Sequence, residues 1–415
     1  MRNILLKVTR NAAAAYRRIM RALPNPEYQD QQFLLHCITS HGIPLALDFR
    51  WEDFKNHVLS FVRSMNIGAH RYRYSPSVTK PTLYASVYAC LILSLFGEVD
   101  KLSADERKNW AGYFDSFQSS EDGLFRDEAV VNAFYEDSDW WGARHIVIHI
   151  MAAYAALGYV PKYPFEYLHQ YKNGDKIHQW LDQQDWKGEM SYINDIDNKI
   201  MNIACALQYE RDFRNDSIAG EAVAIIQKYL IEKRNKEFGL WGRVNTSDPV
   251  SLSRTVQFAY HLYSIFFYDD WNIEHAERII DLTLNTQNNL GGYGVKYNSS
   301  ACEDIDSLYL LCRLSKKSIY RMEDVKLSIK KAFIWMLSNQ NEDGGFVFRR
   351  NEPLTYGHPL MSSLKNESAM FPTWFRILAI AYAMKFSGID GFELIRCPGM
   401  QFNIENRNVT RACTM

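Results

Sequence analysis

The sequence predicts an all-α protein, an (α/α)6 toroid of about six helix pairs with an N-terminal helical extension. Three observations point there. A short Gly-aromatic turn recurs along the chain. The segments between the turns alternate between helices apolar on one face and helices apolar nearly all round. Finally, 12 Pro and 21 Gly in 415 residues are few for a loop-rich all-β chain of this size. The expected boundaries are an extension over 1–50, the toroid over 51–387 and an irregular tail over 388–415.

Within the extension, the first 23 residues carry Arg2, Lys7, Arg10, Arg17, Arg18 and Arg21 and no acid. Thr9–Arg10–Asn11 interrupts any apolar run long enough for a secretory signal. Such a basic amphipathic helix either packs on the domain or lies on an anionic membrane surface. Trp51–Met65 reads as the first half-exposed helix, and Thr82–Phe96 as the first one buried on all sides.

The turns follow in order as Gln118-Ser-Ser-Glu-Asp-Gly-Leu-Phe125, Gln184-Asp-Trp-Lys-Gly-Glu-Met190, Glu237-Phe-Gly-Leu-Trp241, Gln287-Asn-Asn-Leu-Gly-Gly-Tyr293 and Gln340-Asn-Glu-Asp-Gly-Gly-Phe346. The Gln anchors stand 66, 103 and 53 residues apart, and the third copy, with Arg234 in place of Gln, fills the wide gap. This defines a repeat of roughly 50 to 60 residues. Each turn ends a half-exposed helix, drawn at 104–118, 175–184, 216–233, 273–287 and 322–339. The last shows the spacing plainly, with Val325, Ile329, Ala332, Phe333, Met336 and Leu337 on one face. Each turn then leads through a polar loop into a buried helix: Asp139–Leu157, Asp195–Tyr209, Ser251–Phe267, Asp304–Leu314 and Asn366–Phe386. With Thr82–Phe96 these make six inner helices. Trp51–Met65 supplies the sixth outer helix and closes the ring, which removes the need for capping repeats; an open superhelix is the alternative.

Composition narrows the partners. Forty-seven Lys plus Arg against 48 Asp plus Glu leave a net charge of −1, so no basic field recruits nucleic acid. Seven scattered cysteines without CxxC or Cys/His spacing read as reduced thiols of a cytoplasmic protein, membrane-associated if the basic N-terminus docks. The longest apolar stretches, Leu83–Gly97 and Ile146–Val160, fall short of the roughly 20 residues of a membrane span. Dinucleotide, P-loop and nucleophile-elbow motifs are missing, as is an Asp-Asp-X-X-Asp metal-diphosphate motif. No cofactor and no metal are expected; His145 and His149 share a helix face but have no obvious third ligand.

Gln followed by Gly-Gly-aromatic resembles the repeat of squalene-hopene cyclases, oxidosqualene cyclases and protein prenyltransferase β-subunits, over about residues 80 to 390. The resemblance implies that Gln118, Gln184, Gln287 and Gln340 tie turns to neighbouring helix ends and are scaffold. It also extends to Gly291-Gly-Tyr293 followed by Asp304-Ile305-Asp306-Ser307, which is similar to the Asp-X-Asp-Asp element of these terpenoid cyclases with Ser in the last place. It implies a protonation-initiated cyclase acting on an isoprenoid, with Asp306 as general acid and Asp304 as its neighbour. Such an acid must be kept protonated in a dry pocket, and crowding by Glu303 and Asp304 favours that. Read from the residues alone, acids in a helix's first turn are equally N-terminal caps, and Asp195-Ile-Asp197 repeats the pattern.

In a toroid the loops before the inner helices meet at one mouth. Here they bring Tyr135-Glu-Asp-Ser-Asp-Trp140-Trp141-Gly-Ala-Arg144-His145, Arg254, Tyr356-Gly-His358 and Phe371 with Trp374. One use is an isoprenoid channel whose aromatic faces stabilise cations, with Arg144 or Arg254 on a diphosphate. The other is an anionic glycan, with Trp140 or Trp141 stacked on sugar, Arg144 or Arg254 on a uronate, and His145, His358 or Tyr356 moving a proton, in a lyase, hydrolase or epimerase. A non-catalytic binding module is the third reading. Core packing is the ordinary fate of Trp140 and Trp141, whereas Arg144 and His145 on an otherwise apolar helix demand a partner or a cavity.

Overall fold

A computed structural model describes residues 25–131, 139–186, 195–294 and 296–399. The basic segment 1–23, the acids Glu136 and Asp137 with Tyr135, the end of the second turn and Cys413 therefore lie outside the described residues. The extension forms α1 (Asn25–Cys37) and α2 (Ile43–Leu47). Then come α3 (Trp51–Ser64), a small hairpin of β1 (Asn66–Gly68) and β2 (Arg71–Tyr72), α4 (Leu83–Leu95), α5 (Ala104–Asp115) and the single turn α6 (Glu128–Val131). The middle holds α7 (Ala143–Leu157), α8 (Gly174–Asp182), α9 (Ile196–Phe213) and α10 (Ser217–Lys233). The last repeats are α11 (Pro249–Tyr268), α12 (Ala276–Leu284), α13 (Ala301–Ser315), α14 (Met322–Leu337), a hairpin of β3 (Leu354–Thr355) and β4 (Ser362–Ser363), and α15 (Met370–Phe386).

Six of these helices form a closed ring. In order, α4, α7, α9, α11, α13 and α15 each pack on the next, and α15 packs back on α4. Their residues are buried almost without interruption, as their all-round apolar sequences require. The six outer helices are α3, α5, α8, α10, α12 and α14, each with one apolar stripe against the ring; α14 buries Val325, Ile329, Ala332, Trp335 and Met336. The fold is thus the α/α toroid that alternating helix types predict, closed and not an open superhelix. Among the described residues no helix is long and apolar enough to cross a membrane.

The recurring turn is a stitch between repeats. Antiparallel bridges join Gln118 to Phe125, Gln287 to Tyr293 and Gln340 to Phe346. The Gln118 amide donates to the Gly123 and Tyr163 carbonyls at 2.9 Å and accepts from the Tyr163 N–H at 2.8 Å. Gln287 likewise donates to Gly291 O and Ser328 O, and Gln340 to Gly344 O. Gln184 departs from the pattern and donates to the Trp180 carbonyl in its own helix.

Ring closure depends on the last turn. Phe54 on α3 packs edge-on to Phe346 at 6.4 Å, and His57 Nε2 lies 2.5 Å from the Glu342 carbonyl. Gly344 has φ +90° and its Cα faces the His57 backbone so closely that a Cβ would overlap the carbonyl oxygen. Only Gly fits there. The extension covers the outside of this seam, with Phe49 against Phe333 at 5.4 Å.

The tail has a structural duty that irregular sequence does not reveal. Phe392 packs on Trp51 at 4.2 Å, the Glu393 N–H donates to Leu95 O at 2.8 Å, and Arg396 donates to Tyr268 O at 2.9 Å. Cys397 is fully buried, and Gly399 rests on Ile148 of α7. Residues 392–396 therefore lie at the end where α4 and α11 finish, and Gly399 reaches the first half of α7.

Gly344→Ala is expected to lower unfolding stability by about 2–4 kcal/mol in chemical denaturation, since left-handed strain and a backbone clash act together. A loss under 0.5 kcal/mol would show that the seam does not hold the ring.

Candidate functional site

At the opposite end, the inner-helix N-termini and their preceding loops build a lined interior with an acidic and an aromatic half. The acidic half begins at α13. Its N-terminus is capped by a reciprocal pair: Ser300 Oγ accepts from the Glu303 N–H at 3.2 Å and Glu303 accepts from the Ser300 N–H at 2.7 Å. Asp304 and Asp306 are thus free of capping, and the helix starts three residues before Asp304.

Those two acids have different surroundings. Asp304 accepts from Tyr293 N at 3.0 Å, Ser299 Oγ at 2.7 Å, Trp335 Nε1 at 2.9 Å and Arg376 Nη1 at 2.7 Å. Burial raises its carboxyl above the ordinary aspartate range, and Arg376 with the other donors offsets only part of that. Arg376 is itself inaccessible and also donates to the Val347, Ser299 and Phe348 carbonyls. Asp306 is 3% exposed and, among the described residues, receives no hydrogen bond. Burial pushes its carboxyl well above the usual range; His261 opposes this, while Asp197, Glu303 and Asp304 add to it. The surroundings of Asp306 therefore favour its protonated form.

Facing it are groups from α9 and α11. His261 Nδ1 lies 2.7 Å from Asp197 Oδ2. Burial lowers the imidazole's pKa, but Asp197, Asp306 and Asp195 outweigh burial and raise it above its ordinary value. Asp195 precedes α9 with φ +44° and makes no side-chain cap; its Oδ2 accepts instead from the Asp139 N–H at 2.9 Å. Burial, then Asp197 and Asp139, raise Asp195 to about 7. Asp139 holds Arg144 through two bonds of 2.7 and 3.2 Å, and Asn202 donates to the Asp139 carbonyl at 2.6 Å.

The aromatic half is roofed by a strap, residues 347–369, that contains the β3–β4 hairpin. Tyr356 stacks on Phe371 with centroids 4.3 Å apart and planes 3° apart, and its hydroxyl donates to Trp140 O at 3.2 Å. Gly357, at φ +76°, is pressed on Trp141 so that a Cβ would overlap the indole. Trp141 stacks on Tyr84 at 5.2 Å. Below the strap, His145 Nδ1 pairs with the Tyr84 hydroxyl at 3.0 Å, and His149 lies edge-on to Tyr88 at 5.2 Å. Burial keeps both imidazoles neutral, His149 at about 3. The halves lie within electrostatic reach of each other: His145 feels His261, and Tyr356 feels Asp195.

Several expected site residues meet here. Trp141, Tyr356 and His145 pack on Tyr84, and Trp140 packs on Tyr356. Trp140 and Trp141 precede α7, which starts at Ala143 and not at Asp139, because Gly142 at φ +124° breaks the helix and the Asp139 carboxylate turns back to Arg144. Trp141 is inaccessible under the strap, and Trp374 is inaccessible on α15. Arg144 is bound to Asp139. Arg254 lies half-buried on α11 and feels Glu303 and Arg349. His358 caps the short turn at Pro359, its Nδ1 accepting from Leu360 N. Sequence reasoning missed His261, Tyr84, Tyr88 and the acidic role of Asp195 and Asp197. The signal was available for His261, which stands seven residues after Arg254 on one face of an apolar helix.

Among the described residues, no group of three His, Cys, Asp or Glu is placed to hold a metal ion. Two outer clefts of about 520 and 620 Å3 lie between the extension and the last turn, beside His41, Gln340 and Arg350. They are remote from Asp306.

No protein-family model and no curated protein sequence matches the chain. Among solved structures, a polysaccharide lyase aligns with a TM-score of 0.47 at 10% identity, covering 81% of this chain and 96% of that one. A glycosyl hydrolase family 88 protein from Bacteroides vulgatus aligns with a TM-score of 0.46 at 12% identity, over 81% and 98%. A type II terpene cyclase from Scytonema, in complex with geranylgeranyl dihydroxybenzoate, aligns with a TM-score of 0.48 at 11% identity, over 81% and 98%.

Two outcomes follow from the contrast between the acids. Arg376→Met strands Asp304 in the core and should cost about 3–5 kcal/mol in denaturation. Asp306→Asn should do the reverse. The folded chain keeps protons on Asp306 and Asp195 above the pH of about 4 at which unfolded aspartates release them, so stability falls as pH rises from there, through about 7 for Asp195. Removing the Asp306 carboxyl should therefore stabilise the protein by about 0.5–2 kcal/mol at pH 8 and by less at pH 5. Destabilisation at both pH values would mark Asp306 as a structural partner.

Proposed function

We propose that the chain is an enzyme of protonation-initiated isoprenoid cyclisation, with Asp306 as the acid. The observation that carries this reading is a buried carboxyl, without a hydrogen bond from the described residues and with surroundings that favour its protonated form, beside an aromatic cluster roofed by the strap. Protonating an alkene needs a neutral acid away from water. The Asp306 proton adds to one alkene carbon, whose π pair forms the new C–H bond; the neighbouring carbon becomes a cation and is attacked by the next double bond. The Asp306 carboxylate left behind faces the His261–Asp197 pair, where an imidazolium offsets the new charge. The faces of Tyr260, Phe371 and Tyr356 stabilise the migrating cation. A terminal C–H bond then breaks, its electron pair forming a new alkene and its proton passing to water, from which Asp306 is reprotonated after product release, so the net reaction is an isomerisation. Asp304, with its four hydrogen bonds, positions α13.

One observation favours a second reading. Asp195, raised to about 7, stands beside Asp197 and Asp139, and such unequal carboxylates serve glycoside hydrolysis. A glycan would need Arg144 released from Asp139 and the strap displaced.

The purified protein should convert an isoprenoid such as squalene into an isomer of unchanged mass that gains one deuterium in D2O, detected by gas chromatography with mass spectrometry. Asp306→Asn should lower turnover by about 10^2 to 10^4-fold. Cleavage or elimination of an acidic oligosaccharide, with isoprenoids untouched, would sink the proposal in favour of the second reading.

A further inference from the structure

The acid mechanism makes no use of the polar groups deepest in the aromatic half. His149 is 1% exposed, and neither of its ring nitrogens has a hydrogen-bond partner among the described residues. The Tyr88 hydroxyl, on a fully buried side chain, is equally unpartnered. The two rings face each other edge-on, with His145 at 4.9 Å and Phe375 at 6.3 Å from His149, and Phe371 at 5.7 Å from Tyr88. His145 differs from its neighbour, since the Tyr84 hydroxyl satisfies it.

Buried polar groups left unpaired are destabilising, and a Phe at either place would avoid that cost. Native structures leave such groups for water, an ion or a ligand to satisfy. Their chemistry states which ligand. A neutral imidazole offers one donor and one acceptor, and a phenol offers both. Burial holds His149 and Tyr88 uncharged, and Arg144 at the mouth is committed to Asp139. An anion here would exchange water for neutral groups and lose its solvation without compensation. An uncharged hydroxyl or carbonyl loses little and gains two directed hydrogen bonds.

We propose that His149 and Tyr88 form a second subsite that takes an uncharged oxygen of the substrate, so the substrate is a neutral, oxygen-bearing isoprenoid and not a prenyl diphosphate. The inference rests on the isoprenoid reading of the funnel and adds to it the polarity of the substrate's far end. Asp306 acts on the alkene and takes no part in this subsite.

Binding to the full-length protein, followed by tryptophan fluorescence, tests it with three probes: geranylgeraniol, geranylgeranyl diphosphate and squalene. The alcohol should bind more tightly than the diphosphate. His149→Phe and Tyr88→Phe should each weaken the alcohol about 10-fold while leaving squalene within about twofold, and Asp306→Asn should leave alcohol binding intact. Tyr88→Phe removes a single oxygen, so it reports even if His149→Phe misfolds. Tighter binding of the diphosphate, no binding of the alcohol, or an unchanged alcohol-to-squalene ratio in Tyr88→Phe would overturn the subsite. Alcohol selectivity without any isomerisation would instead defeat the cyclase reading and leave the subsite standing; isomerisation without selectivity would do the opposite.

Discussion

The buried pair of Asp304 and Arg376 is the interaction on which the rest of the site depends. Arg376 comes from α15, Asp304 from α13, and their shared hydrogen bonds reach Trp335 on α14, Tyr293 and Ser299 in the fifth repeat, and Val347 and Phe348 at the root of the strap. Two charges without solvent are tolerated only when every donor and lone pair is matched, and here nearly all are. The pair therefore fixes where the last two repeats meet and where the strap departs over the mouth. A hydrophobic contact of the same size would bury comparable area without prescribing those directions.

Helix geometry explains why neighbouring acids carry opposite duties. Residues two apart on an α-helix point about 200° from each other, so Asp304 turns outward to α14 while Asp306 turns towards His261 and Asp197. Fixing Asp304 so firmly holds Asp306 in a setting that it would not choose for itself. The cost of a buried carboxyl is borne by the scaffold around it, a distribution common where function conflicts with stability. The same separation recurs across the funnel, where the satisfied His145 stands beside the unsatisfied His149.

Much of the scaffold was legible in the sequence because it repeats. The Gln and Gly-aromatic signature marks the stitches at residues 118, 287 and 340 through local hydrogen bonds that any copy must make. Apolar periodicity likewise separates α14 from α15, since one buries a stripe and the other its whole surface. Helix starts were less legible: α7 begins four residues after Asp139 because a carboxylate contacts Arg144, and α13 begins at Ala301 because Ser300 and Glu303 cap each other. The site was the least legible. Asp306 and Arg144 were visible as polar residues in apolar helices, but Tyr84 and Tyr88 look like core, and only their neighbours make them polar walls.

By itself, the sequence determined an all-α toroid, six inner and six outer helices, and an Asp-X-Asp at the head of one inner helix. Those properties are written in periodicity and local capping, which act over a few residues. Only the tertiary structure decided which acid is paired with an arginine and which is not, that the tail packs against the ring, and that Tyr356 roofs the mouth. Each of those depends on groups brought together from far apart in sequence, as with Tyr356 and Trp140, 216 residues apart, or Asp304 and Arg376, 72 apart. Desolvation and charge pairing are properties of that assembled neighbourhood, and no window of sequence contains them.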